Sequence, residues 1–191
     1  MPDRARAMRG GVTDATADPI RVVLAGNPNV GKSSLFNHLT GAQQHVANWP
    51  GKTVERHTGS TRVGQTELTI TDLPGTYSLA AGSPEEQVAE SVLTGDEVDV
   101  VAVVLDSANL ERNLYLTTQI AELGRPMVLV LNMTDAAAAD GFRIDDDRLA
   151  TVFAAPVVRT VGRTGEGLDQ LRATLSAVAA VVRRRRVPGA A

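Results

Sequence analysis

Three segments of the chain are apolar at nearly every position: Ile20–Ala25 (IRVVLA), Val98–Leu105 (VDVVAVVL) and Pro126–Leu131 (PMVLVL). A half-exposed strand would alternate with period two; an unbroken short apolar run predicts a strand covered on both faces. Ala155–Val158 reads as a shorter strand of the same kind. Between these runs the spacing changes to that of helices. Gly31–Gly41 carries Leu35, Phe36 and Leu39 on one face, and Gly167–Val182 carries Leu168, Leu171 and Leu175. Further helices are expected over Pro84–Leu93, Glu111–Leu123, Ala136–Ala139 and Asp145–Phe153. Ser83 supplies an N-cap for the first of these, with Glu85 and Glu86 in its opening turn. Two polar-alternating stretches, around Lys52–Val63 and over Thr66–Thr71, predict an antiparallel pair, and Asn48–Gly51 (NWPG) reads as a loop.

Strands that alternate with helices of 10–15 residues predict an α/β fold with helices on both faces of the sheet. The expected sheet is mostly parallel and six-stranded, with one antiparallel strand. No internal repeat is visible. Residues 1–19 are rich in Ala, Arg, Asp and Gly without periodicity and read as a disordered leader. Residues 20–182 read as a single domain, and residues 183–191 as a basic tail.

Composition narrows the chemistry. With no cysteine, a disulfide framework, a thiol nucleophile and any Cys-ligated metal are excluded. Three scattered histidines, His38, His45 and His57, make a His-rich metal site a poor expectation. Aromatics are 3%, so the core must come from Ala, Val, Leu and Ile. A net charge of −3 asks for no nucleic-acid partner. No apolar run reaches the ~18 residues of a membrane span, and no signal-peptide core is present, so composition by itself points to a soluble cytosolic protein. Of 19 basic residues only Lys32 and Lys52 are lysine. A chain that prefers arginine so strongly needs a chemical reason to keep a lysine.

Lys32 has one. Gly26-Asn27-Pro28-Asn29-Val30-Gly31-Lys32-Ser33 fits G-x-x-x-x-G-K-[ST] and lies between a predicted strand and a predicted helix. Glycines let backbone N–H groups curl around phosphate oxygens, and the helix N-terminus adds its dipole. Lys32 supplies a compact charge for the β- and γ-phosphates, and Ser33 a hydroxyl for Mg2+. Asp72-Leu73-Pro74-Gly75 closes the strand Thr66–Thr71. Asp72 can hold the Mg2+ shell through water, and the Gly75 N–H can reach the γ-phosphate. Asn132-Met133-Thr134-Asp135 follows the strand Pro126–Leu131. The Asp135 carboxylate can accept the N1–H and exocyclic amine of guanine, a pair that adenine lacks. Thr53, between the phosphate loop and Asp72, can join Mg2+ and the γ-phosphate when GTP is bound and release after hydrolysis. Taken singly, D-x-x-G is an ordinary turn and N-x-x-D an ordinary helix cap. Their order and spacing after a phosphate loop make them a guanine-nucleotide switch on a P-loop GTPase (Ras-like) fold.

The strings NWPGKTVE (Asn48–Glu55) and DLPGTYSL (Asp72–Leu79), with GNPNVGKSSLFN (Gly26–Asn37), NMTD, GFRID (Gly141–Asp145) and the stretch Pro156–Leu168, resemble the N-terminal G domain of FeoB-type ferrous iron transporters over Ile20 to Leu175. The resemblance implies a domain on the cytoplasmic face of the inner membrane. It would be joined in one polypeptide to a membrane transport domain, bind GTP and GDP, form a possible oligomer and use Mg2+. It implies a potassium effect as well, with Asn29 as a ligand and backbone carbonyls from Trp49 and Gly51; a plain helix-capping role is the alternative for Asn29. The expected nucleotide contacts are Gly26, Asn27, Pro28, Asn29, Val30, Gly31, Lys32, Ser33, Ser34, Gly51, Thr53, Asp72, Gly75, Asn132, Met133, Asp135, Thr160, Val161 and Gly162. Lys32, Thr53, Gly75 and Asn29 are expected to act in hydrolysis, with Ser33, Thr53 and Asp72 around Mg2+. Thr76, not glutamine, follows Gly75, so hydrolysis is expected to be slow and no side chain qualifies as general base.

Two departures from the family stand out. The loop that normally reads Ser-Ala aligns to Val161-Gly162, which predicts altered nucleotide affinity or faster GDP release, with backbone N–H groups left to meet the guanine O6. The helical module that follows the G domain in the family is not matched here. The run Arg183–Arg186 is either a contact for anionic lipid or a neighbouring domain, or a solvated helix end whose positive charge suits a C-terminus. A soluble ribosome- or RNA-assembly GTPase shares the three core motifs, but no basic–aromatic patch supports it. A nucleotide-binding relic kept only for regulation is a third reading.

Overall fold

The structure, a computed structural model, describes residues 18–41 and 44–186. The expected leader therefore lies outside the described residues except at its end, as does the tail beyond Arg186.

The elements follow in the order β1 (Ile20–Ala25), α1 (Lys32–Thr40), β2 (Gln44–Asn48), β3 (Glu55–Val63), β4 (Thr66–Asp72), α2 (Pro84–Thr94), β5 (Val100–Asp106), α3 (Leu110–Glu122), β6 (Met127–Asn132), α4 (Thr134–Ala139), α5 (Asp146–Phe153), β7 (Val157–Arg159) and α6 (Leu168–Arg186). The sheet order among them is β2-β3-β4-β1-β5-β6-β7. β4, β1, β5, β6 and β7 are mutually parallel. β3 is antiparallel to both of its neighbours, which makes it the single reversed strand.

The described sheet thus has seven strands where six were expected. β2 is the addition. Its sequence, QHVAN, shows no apolar alternation, because four of its five residues are exposed. It pairs at the sheet edge through its backbone alone, and nothing in side-chain patterning announces that. α6 also runs further than expected, past Val182 through Arg186.

The apolar runs behave as predicted. Every residue of β6 is buried, and all but the last of β5. Alternate side chains serve two cores. Val22, Leu24, Val100, Ala102, Val104, Val128 and Val130 pack with Leu35, Phe36 and Leu39 of α1 and Leu171 and Leu175 of α6. Val23, Val101, Val103, Leu105, Leu129 and Leu131 pack on the other face with Val88 and Leu93 of α2, Leu116 and Ile120 of α3, and Trp49. The loops of interest lie at the carboxyl ends of the parallel strands, where open α/β sheets bind ligands. No described helix is long and apolar enough to cross a membrane.

Candidate functional site

The phosphate loop leaves β1 and enters α1. Gly26 (φ 152°) and Gly31 (φ 89°) hold backbone conformations that a side chain would strain. A Cβ on Gly26 would also fall within van der Waals contact of the Val104 carbonyl. Inside the turn the Lys32 ammonium is nearly covered, and it donates to the carbonyls of Gly26 (3.1 Å) and Asn27 (2.9 Å). Burial lowers its pKa below the usual ammonium value, and the nearby Asp72 charge opposes that shift. Ser33 donates its hydroxyl to Asp72 Oδ2 at 2.8 Å. Burial raises the Asp72 carboxyl above the usual carboxylate range, against the Ser33 hydrogen bond and the charges of Lys32 and His57.

Asp72 Oδ1 is buried and has no hydrogen-bond partner among the described residues. An orphaned carboxylate oxygen beside a serine hydroxyl is the donor chemistry of a hard divalent cation, so Ser33 and Asp72 fit Mg2+. A cavity of about 570 Å3 opens here, lined by Pro28, Asn29, Lys32, Ser33, Thr53, Asp72 and Gly75. The structure therefore brings Thr53 to the same cavity as Asn29 of the phosphate loop. At Gly75 a Cβ would stand 2.8 Å from Pro28 Cα and 3.0 Å from Lys32 Nζ, so only glycine allows this approach. Thr76 turns inward and is buried, with its N–H on the Gly26 carbonyl at 3.3 Å.

Gly31, Ser34, Asn132, Met133, Asp135, Val161, Gly162 and Arg163 line a second cavity of about 280 Å3 at the far side of the loop. Asn132 builds it. Its Nδ2 donates to the Val30 carbonyl at 2.8 Å, while its Oδ1 accepts from the Gly162 N–H (2.8 Å) and the Thr160 hydroxyl (3.0 Å). Thr160, expected as a nucleotide contact, is fully buried and instead supports Asn132. Val30 and Asn27 are likewise buried, leaving their backbone to face a ligand.

One expectation needs correction. Neither Val161 nor Gly162 has its N–H free for a base: Val161 N–H donates to the Glu166 carbonyl at 3.1 Å, and Gly162 N–H to Asn132. The turn that does this is closed by Gly165 (φ 83°) and Gly167 (φ 78°). Arg163, the next residue, was not foreseen; its guanidinium reaches the Asp135 carboxylate at 3.4 Å. The expected potassium ligands are placed apart from one another. Trp49 is buried on the face of the sheet that α2 covers, its backbone N–H donates to the Val54 carbonyl (2.9 Å), and its carbonyl accepts from the Lys52 N–H (3.0 Å). Neither Trp49 nor Gly51 lines the phosphate cavity. Asn29 alone of the expected potassium ligands lines the phosphate cavity. His57 and Glu85 line the phosphate cavity without having been foreseen. Pairing of His57 with Asp72 across β3 and β4 explains the first, and only the strand register reveals it.

Known proteins share this arrangement. The family model described as ferrous iron transport protein B matches residues 20–175. A Porphyromonas gingivalis protein described as a fusion of Fe(2+) transport protein A and Fe(2+) transporter FeoB is 48% identical over 160 residues, covering 83% of this chain and 19% of its own length. The Salmonella typhimurium Fe(2+) transporter FeoB is 46% identical over 157 residues, covering 80% and 20% respectively. The chain thus spans about one fifth of the length of these relatives. Among solved structures, the G domain of Thermotoga maritima FeoB superposes with a TM-score of 0.79 at 42% identity, covering 85% of this chain and 99% of that one. The GMPPNP form of the cytosolic domain of the same protein gives 0.81 at 43%, covering 84% and 64%. With a P-loop GTPase fold, a family match over most of its length and relatives above 40% identity, the chain belongs to the FeoB family of ferrous iron transport proteins, over the part that forms the G domain.

Proposed function

We propose that this domain binds GTP and hydrolyses it slowly, as a switch on the cytoplasmic face of the inner membrane. It would regulate or drive ferrous iron movement through a membrane domain of the same polypeptide. The observation that carries the reading is the pair formed by the cradled Lys32 ammonium and the half-satisfied Asp72 carboxylate, both lining the same cavity.

Each residue has a defined task. Lys32 exchanges its two carbonyl partners for β- and γ-phosphate oxygens, an exchange that returns a buried charge to a charged partner. Ser33 and Asp72 hold Mg2+, which when bound neutralises phosphate charge. The Gly75 N–H reaches the γ-phosphate across the gap that its missing side chain leaves. Thr53 closes over the same phosphate, so that its segment orders with GTP and releases with GDP. Asp135 reads the guanine edge once Arg163 yields. Water is positioned by backbone and loop contacts, since Thr76 is turned inward. Potassium stimulation enters on Asn29 alone, and no step is assigned to the ion.

GTP turnover measured in potassium and in sodium, on the wild type and Asn29→Ala, tests the reading. Faster turnover in potassium, lost in Asn29→Ala, is expected. Equal rates in both salts would remove the cation effect, and no turnover in either would remove the hydrolytic role. Lys32→Ala is expected to abolish nucleotide binding in a fluorescent-nucleotide titration.

A further inference from the structure

A third cavity, of about 430 Å3, has no part in the nucleotide site. It lies on the face of the sheet covered by α2, between that helix and the segment Trp49–Lys52. Val23, Val88, Val92 and Val98 give it an apolar floor, and Trp49 and Pro50 form a wall. One hydrogen bond, from Lys52 Nζ to Gln87 Oε1, spans the rim.

The polar groups around this apolar floor are mostly donors and cations. Arg21 is committed to Asp99, at 3.1 Å, with Glu97 adding to its negative surroundings. Lys52 and Arg56 remain, and neither forms an ion pair among the described residues. The Arg56 guanidinium instead stacks over the Trp49 ring, 4.8 Å from its centroid. Arg56 Nε and Trp49 Nε1 are both buried N–H donors without an acceptor. Buried donors seldom go unpaired, and Trp49 is only 9% exposed. Two unpaired cations and two orphaned donors at one wall of an apolar pocket call for a ligand that brings its own negative acceptor.

We propose that this cavity binds a small amphipathic monoanion: an alkyl or aryl body on the valine floor, with a carboxylate or similar head between Arg56 and Lys52. Its volume lies within the range of small-molecule sites, and its lining, apolar with a few convergent polar groups, has the usual composition of one. The head displaces the Arg56–Trp49 stack enough to take the orphaned N–H groups. None of its lining residues belongs to the phosphate loop, and its Trp49–Lys52 wall adjoins Thr53.

The test uses 8-anilinonaphthalene-1-sulfonate as probe on the folded chain, with octanoate, octanol and octylamine as competitors. A single bound probe, displaced by octanoate but not by octylamine or octanol at equal concentration, is expected. Displacement should shift the emission of Trp49, the only tryptophan. Arg56→Met keeps the stem but loses the charge and donors, and should weaken octanoate binding about tenfold or more. Ser91→Phe, placed at an exposed wall position on α2, fills the cavity and should abolish probe binding with an unchanged circular dichroism spectrum. Absence of probe binding, equal displacement by octanol and octanoate, or wild-type octanoate affinity in Arg56→Met would overturn the proposal.

Discussion

Lys32 and Asp72 carry charges that their burial disfavours, and their pKa values move in the directions that say so. In the folded protein the Asp72 proton is held more tightly than in the unfolded chain. Its contribution to stability is therefore fully present below the ordinary carboxylate range and is lost as pH rises through the raised folded value. Asp72→Asn keeps a neutral partner for Ser33 and removes that loss. With metal chelated and no nucleotide, this variant should melt a few degrees above the wild type near neutrality, roughly 1 kcal/mol of stability, and the gain should vanish in acid. A variant no more stable than the wild type at any pH would contradict it. The same variant should lose hydrolysis, because the site's strain and its chemistry reside in one carboxylate. At the base end, Asp135→Asn exchanges an acceptor for a donor and should move preference from guanine towards xanthine nucleotide, read by competition binding.

At the scale of elements, α2 is held at both ends by side chains. Ser83 and Glu86 form a capping box at its start, and Glu86 also accepts from the Ser78 hydroxyl at 2.7 Å, so its carboxyl lies below the usual range. At its end the Arg125 fork collects the carbonyls of Leu93 (2.6 Å), Val98 (2.9 Å), Thr94 (3.0 Å) and Gly95 (2.5 Å). Arg125→Ala leaves these carbonyls to compete for water in a half-buried place and should cost about 2–3 kcal/mol, seen as a lower urea midpoint. Arg125→Lys should recover little, because an ammonium cannot reproduce the planar set of donors. The helix starts and the buried strands were legible in the sequence because their causes are local. Ser83, Pro84 and Glu86 sit within four positions of each other, and the valine runs need no partner to be recognised. β2 was not legible, since an exposed edge strand is defined by backbone pairing with β3. The hydrogen bonds that occupy the Val161 and Gly162 N–H groups were not legible, because loop register follows from Gly165 and Gly167, which close the turn after them.

Across the whole molecule, Asn132 ties together segments that are far apart in sequence. It joins β6 to the phosphate loop across 102 residues and to the loop after β7 across 30. Asn132→Ala strands the Val30 carbonyl and the Gly162 N–H inside the protein. It should cost about 2–4 kcal/mol in stability and weaken nucleotide binding more than tenfold, with phosphate and base contacts failing together. Loss of base affinity alone would argue against this bracing role.

Short-range physics let the sequence alone determine the mostly parallel α/β architecture and the phosphate loop with its lysine, and mark Asp72 and Asp135 as the aspartates proposed for Mg2+ and guanine. Each of these depends on residue type and spacing within a strand, a turn and the helix after it. The tertiary structure decided the rest: the seventh strand, the burial of Trp49 on the face of the sheet that α2 covers, Thr160 as a brace, and the apolar cavity beside Arg56. Those depend on which distant segments share a face or a hydrogen bond, and spacing along the chain carries no record of that.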